Sequence, residues 1–185
     1  MILIVDMNFR KDSLGFHEFV LPIVNAVKNL DDYAVRHYSE LGQEDLTRYS
    51  SIILSGTALK DHASLNEPDE FTWILDCKVP VLGICAGMQT IALANGARLT
   101  KCLGIGMTEI TTTAPNPLFS STFKAYALHN FSVQPSPAFA VLAKSGKCVQ
   151  AIKHKQKNIY GVLFHPEVRN REIIQRFIRA FRVTE

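Results

Sequence analysis

An α/β fold with a mostly parallel central sheet flanked by helices, and antiparallel strands appended in its second half, is what this sequence predicts. Three observations carry the prediction. The runs ILIVD, SSIILSG and VPVLGI are apolar along almost their whole length, as strands buried on both faces are. Segments with helical periodicity alternate with them through the first half. Beyond Gly96 the texture changes to β-rich runs separated by turns, the pattern of antiparallel strands.

The strand ILIVD follows Met1 directly, and an apolar stripe at Phe16, Val20, Ile23, Val24 and Val27 then predicts a helix lying on a sheet, kinked by Pro22. YAVRHY, residues 33–38, reads as the second strand. A short polar helix over 43–48 leads to SSIILSG, residues 50–56, and a helix over 68–76 precedes VPVLGI, residues 79–84. AGMQTIALANG, residues 86–96, reads as the next helix. GMTEITTT, TFKAYALHNFSV, FAVLAKSG, CVQAIKHK and IYGVLF supply the later strands. The last helix, 171–181, repeats Ile173, Ile174, Phe177, Ile178 and Phe181 at 3.6-residue spacing and packs back on the core. APNPLF and QPSPAF read as surface loops.

The chain has 185 residues, 47% of them hydrophobic, enough for one substantial core and too few for two full domains, so 1–185 is read as a single domain. Its net charge of +3 is too small to argue for nucleic acid. The basic cluster KHKQK, residues 153–157, reads as a solvated hairpin turn, and Arg169, Arg171, Arg176, Arg179 and Arg182 as the outer face of the last helix. Cys77, Cys85, Cys102 and Cys148 show no C-x-x-C spacing, so neither a metal site nor a disulfide framework is expected, and a reduced, cytoplasmic setting follows. No stretch near 18 apolar residues occurs and no signal-peptide pattern precedes the first strand, so no membrane association is expected.

Cys85 sits at the joint between VPVLGI and the helix after it, with Gly83 and Gly87 two residues to either side. The G-x-C-x-G arrangement is that of a nucleophile elbow: it exposes the sulfur above the C-terminal edge of a sheet and aims the first helical N–H groups at any anion beside it. Burial as a small hydrophobe is the commonest alternative for a free cysteine. A second segment, YGVLFHPEV at 160–168, ends a strand in His165, Pro166 and Glu167. A histidine there can take a thiol proton, and a carboxylate two residues on can fix the imidazole's tautomer. SSIILSG closes on Gly56, where a backbone N–H can approach a substrate.

These motifs, GICAGMQ and FHPEV, resemble the signatures of the class I, or triad, glutamine amidotransferases, and their order along the chain matches that family over nearly all its length. Met88 and the form GVLFHPEV are most similar to the GMP synthetase branch, and so to GMP and purine biosynthesis. The resemblance implies a flavodoxin-like fold and release of ammonia from the glutamine side chain through a glutamyl thioester. Cys85 is the implied nucleophile, His165 the proton carrier and Glu167 its orienting acid. It implies an oxyanion hole from the backbone N–H groups of Gly56 and Ala86, and substrate contacts at Gln89, Asn130 and Phe131, with no cofactor and no metal.

The chain departs from the family pattern in three places. Thr57 and Ala58 replace the second glycine and the proline of an S-G-G-P loop, LHNF stands for S-H-x-D, and DMNFRKDS for D-x-G-G-Q. The loop at Thr57 is therefore expected to be inactive until reorganised. Neither SGGVDS nor G-x-x-x-x-G-K-[ST] occurs, so the resemblance implies a separate ATP-dependent synthetase subunit that receives the ammonia. A free-standing γ-glutamyl hydrolase and a non-catalytic regulatory relative are the alternatives.

Overall fold

A computed structural model describes residues 1–182 of the chain; the last three residues of the expected 1–185 domain lie outside the described residues. One nine-stranded sheet runs through the molecule in the order β2-β1-β3-β4-β9-β8-β7-β5-β6. Strands β1 (Ile2–Asp6), β2 (Tyr33–His37), β3 (Ser51–Leu54), β4 (Val81–Ile84) and β9 (Ile159–Val162) are parallel to one another. Strands β5 (Arg98–Thr112), β6 (Thr122–Gln134), β7 (Phe139–Ser145) and β8 (Cys148–His154) continue the sheet in antiparallel fashion. Strand β9 joins the halves, pairing parallel with β4 and antiparallel with β8.

The continuous apolar runs are explained by two cores, one on each face. Along β1, Ile2 and Ile4 enter one core while Leu3 and Val5 enter the other, all fully buried. The first core lies beneath the helix expected at the N-terminus and α4 (Arg171–Ala180), which contributes Ile173, Ile174, Phe177 and Ile178. The second is covered by α3 (Ala86–Ala94), which presents Met88, Ile91 and Ala92, together with Phe71 and Ile74 of the segment Pro68–Leu75.

The expected N-terminal helix comes as two segments of different winding. A π-helical turn, Phe16–Val20, runs straight into α1 (Leu21–Val27), and Pro22 falls in the first turn of α1, where its missing N–H is tolerated. The expected helix over 43–48 is replaced by two 3-10 turns, Tyr38–Gln43 and Leu46–Arg48, and the helix at Pro68–Leu75 is likewise 3-10, preceded by the one-turn α2 (Ala63–Asn66). Such short segments gain little from α-helical propagation and close with i to i+3 bonds instead.

The expectation that the cysteines form no disulfide is overturned. Cys102 of β5 and Cys148 of β8 are bonded, with their Cα atoms 5.8 Å apart, while Cys77 and Cys85 are free. Their separation of 46 residues carries no spacing signal; sheet curvature alone brings β5 over β8. No described helix is long and apolar enough to cross a membrane.

Phe177 is fully buried between α4 and the sheet, with its ring 6.2 Å from that of Tyr160 and 5.4 Å from that of Phe181. Phe177→Ala should therefore lower unfolding free energy by about 3–5 kcal/mol in a denaturant titration, the range for truncating a core aromatic.

Candidate active site

Cys85 adopts φ 48° and ψ −103°, a left-handed conformation rare for a residue with a side chain and costing on the order of 1–3 kcal/mol. Two hydrogen bonds hold it there: its N–H donates to Val162 O at 2.8 Å, and Gly87 N–H donates to Ser55 O at 3.2 Å. The two flanking glycines serve close approach rather than unusual dihedrals. A Cβ on Gly83 would lie 2.5 Å from the Gly87 carbonyl carbon, and one on Gly87 would lie 2.7 Å from both Cβ and the carbonyl oxygen of Leu54. Strands β3 and β4 and the start of α3 thus meet at van der Waals limit beneath the sulfur.

The segment after β9 brings His165 and Glu167 to the same edge. His165 Nδ1 is 2.7 Å from Glu167 Oε1, with the histidine 1% exposed and the glutamate fully buried. His165 N–H donates to Tyr126 O at 2.8 Å, and Arg171 Nε donates to Glu167 O at 3.2 Å, which fixes the backbone between them. The second carboxylate oxygen, Oε2, is buried without a hydrogen bond, so the imidazole is the group that compensates its charge. Burial opposes a charge on His165. The Glu167 carboxylate, and after it the Cys85 sulfur, outweigh burial and hold its pKa well above the usual histidine value.

Gly56 closes the third side. A Cβ there would lie 2.6 Å from His165 Cε1 and 3.4 Å from Cys85 Cβ, so only glycine fits between the two. Among the described residues the backbone N–H groups of Gly56 and Ala86 have no hydrogen-bond partner. His165 Nε2 is buried and unpartnered, and the Cys85 thiol instead points to Leu128 O at 3.5 Å. A thiol suits that carbonyl and a thiolate does not. Loss of the thiol proton would favour rotation of the sulfur toward Nε2, where an imidazolium–thiolate pair forms.

The expected substrate-binding residues lie in the adjoining cleft, yet their polar groups are engaged within the protein. Gln89 Nε2 donates to Phe131 O at 2.8 Å, and Asn130 Nδ2 donates to Leu59 O at 3.0 Å. The loop at Thr57 is folded down: Thr57 Oγ1 donates to Asp61 O at 3.0 Å, and the His62 ring meets Phe131 edge-on at 5.9 Å. About 20 Å³ remains over Cys85, room for about one water molecule. A hollow of about 850 Å³ lies on the other side of this loop, lined by Phe9, Leu14, Lys60 and Asp61 among others, and does not reach the sulfur.

Sequence reasoning missed Asp61 and Leu128. The Asp61 carboxylate accepts from Phe9 N–H at 2.8 Å and from Ala63 N–H at 3.2 Å, which ties the loop to the segment after β1. Leu128 acts through its carbonyl, which no side-chain pattern reveals. No cluster of described residues has the makings of a metal site.

Residues 16–184 match the family model described as glutamine amidotransferase class-I. A glutamine-hydrolyzing GMP synthase subunit from Methanocaldococcus jannaschii is 40% identical over 114 residues, which is 58% of this chain and 61% of that protein. One from Methanococcus maripaludis is 43% identical over 105 residues, 53% of this chain and 56% of that protein, so the matches span under two thirds of these relatives. The glutamine-hydrolyzing GMP synthase of Petrotoga mobilis is 34% identical over 169 residues, 83% of this chain but 32% of that longer protein. Among solved structures, a Thermoplasma acidophilum protein provisionally named as a GMP synthase subunit superposes with a TM-score of 0.78 at 26% identity, covering 97% of this chain and 92% of that one. A Thermotoga maritima glutamine amidotransferase superposes at 0.70 with 20% identity, covering 98% and 82%, and shares the fold.

Two outcomes follow from this geometry. Because the Glu167 charge raises the His165 pKa, Glu167→Gln should move the ring's titration to lower pH, read from its nitrogen chemical shifts. The same linkage makes the pair's contribution to folding complete below about pH 6.5 and lost as pH rises through the raised value. Asn130→Ala should free the Leu59 carbonyl and speed iodoacetamide labelling of Cys85 by about two- to tenfold, as loss of a hydrogen bond of net worth about 1 kcal/mol implies.

Proposed function

The chain belongs to the class-I glutamine amidotransferase family, and from that premise we propose that it is a glutamine amidohydrolase subunit releasing ammonia to a separate ATP-dependent synthetase subunit. The GMP synthetase is the partner that the relatives' names favour. The observation that carries the reading is a free cysteine on a left-handed elbow beside a fully buried histidine–glutamate pair.

In this mechanism the Cys85 thiolate attacks the glutamine side-chain carbonyl carbon. The oxyanion that forms accepts hydrogen bonds from the Gly56 and Ala86 N–H groups, unused in the resting structure. The His165 imidazolium gives its proton to the departing ammonia, while Glu167 holds Nδ1 and stabilises the positive ring. A water then enters, His165 removes its proton, and attack on the thioester carbonyl releases glutamate and restores the thiolate–imidazolium pair. Gln89, Asn130 and Phe131 hold the amino-acid end of the substrate. No step calls for a cofactor or metal.

Glutamine does not fit in the space of about 20 Å³ above the sulfur. The loop from Thr57 to His62 must therefore lift, and docking of the synthetase is the event proposed to lift it. A free-standing γ-glutamyl hydrolase needs an open cleft for a larger substituent, which the closed loop disfavours. The reading includes a cytoplasmic location and GMP formation within purine biosynthesis.

Glutamate release from glutamine tests it, measured for wild type and Cys85→Ala with and without an ATP-dependent GMP synthetase subunit. The expected result is turnover that rises at least tenfold with the partner and falls by on the order of 10⁴-fold or more on substitution, the scale for removing a catalytic nucleophile. Equal partner-free turnover of γ-glutamyl conjugates would favour the hydrolase, and glutamine binding without turnover under every condition would favour a regulatory relative.

A further inference from the structure

The antiparallel hairpin β5–β6 supplies the wall of the cleft opposite Gly56, through Leu128, His129, Asn130 and Phe131. Its ladder attachment to the rest of the sheet is slight. Strand β5 pairs with β7 only at Thr111 with Lys144 and Thr112 with Ala143, near the end of the hairpin remote from that wall.

At the wall, three consecutive residues of β8 reach the hairpin. Cys148 is bonded to Cys102, Val149 O accepts from Ser132 Oγ at 2.8 Å, and Gln150 Nε2 is 3.2 Å from His129 Nε2. Cys102 lies in a β-bulge between Lys101 and Gly104, where β5 leaves its register with β6. Its backbone is therefore not held by the ladder. Its sulfur holds it to β8, and its carbonyl accepts the Nδ1–H of His129 at 2.8 Å. Gly104 makes room for that ring, since a Cβ there would lie 2.5 Å from His129 Nε2. The disulfide thus fixes the carbonyl that orients His129, and His129 stands between two residues of the cleft wall.

We propose that the Cys102–Cys148 bond is a redox-responsive tie for this wall, so that its reduction by a dithiol loosens residues 128–131 and weakens glutamine binding. The inference rests on the glutamine-hydrolase reading of the cleft. A thiolate of the reductant attacks the sulfur of Cys102, the half-buried partner, and Cys148 leaves as a thiolate that takes up a proton. The reductant's second thiolate then displaces Cys102 from the mixed disulfide. Two electrons pass to the protein, both cysteines end as thiols, and the reductant ends as its own disulfide.

The test compares wild type oxidised with glutathione disulfide, wild type reduced with dithiothreitol that is then removed, and Cys102→Ser/Cys148→Ser treated both ways. Hydrogen exchange of the β6 amides reports the wall directly. Glutamine protection of Cys85 from iodoacetamide, measured with the ATP-dependent GMP synthetase subunit present to lift the loop and quantified on the Cys85 peptide, reports binding without requiring turnover. Reduced wild type and the double variant should exchange faster in β6 and need about fivefold more glutamine for half-protection than oxidised wild type, as loss of a preorganised wall implies. The double variant should respond alike to both treatments, which separates the tie from any oxidation of Cys85.

Equal exchange in both redox states, a disulfide that dithiothreitol leaves intact in the folded protein, or faster exchange with unchanged half-protection would each overturn the proposal. A Cys85 that glutamine protects in no state defeats the reading of the site instead, while exchange still judges the tie.

Discussion

The left-handed backbone at Cys85 is the constraint on which the rest of the site depends. A residue with a side chain holds that conformation only where its surroundings over-determine it, and here two neighbouring strands do so. β9 accepts its N–H through Val162, and the residue after β3 accepts the N–H of Gly87 through Ser55. The strained residue is thereby locked to the strand that delivers His165 and to the loop that delivers Gly56. The sulfur, the imidazole and the two unused N–H groups share one sheet edge because the same few hydrogen bonds position all of them.

Charge and closure divide the work of keeping the site ready yet quiet. Glu167 is fully buried with one hydrogen-bond partner, so it holds the His165 ring correctly turned and its pKa above the usual histidine value. The loop at Thr57 and the Asn130 amide keep the space above the sulfur filled. The histidine–glutamate pair is thus preorganised while access to the sulfur is not, and access hangs on a few neutral hydrogen bonds, each worth about 1 kcal/mol.

What was legible in the sequence was what is local. GICAGMQ and FHPEV each concentrate geometry into a few residues, and the apolar runs of the parallel strands follow from burial on both faces. The glycines at 83 and 87 were legible as necessary, although Gly83 is required by the Gly87 backbone and Gly87 by Leu54 rather than by dihedral freedom. The 3-10 character of Tyr38–Gln43, Leu46–Arg48 and Pro68–Leu75 was hidden because the pattern of apolar positions barely distinguishes short turns of the two helix types. The Cys102–Cys148 bond was hidden because it depends on how a long hairpin curls over its own sheet. The closure of the loop was foreshadowed by Thr57 and Ala58, but its fastenings were hidden because two of the acceptors, Asp61 O and Leu59 O, are backbone carbonyls, which every residue has.

Strand β9 sits between the two halves of the sheet, and in chain order everything from β5 to β8 comes between it and its parallel neighbour β4. The elbow emerges from the ribosome long before the strand that completes it. Until β9 slots in, Val162 is not there to hold the Cys85 amide, and no imidazole faces the sulfur. A growing polypeptide of this kind carries an unarmed sulfur until β9 and the residues that follow it have been made.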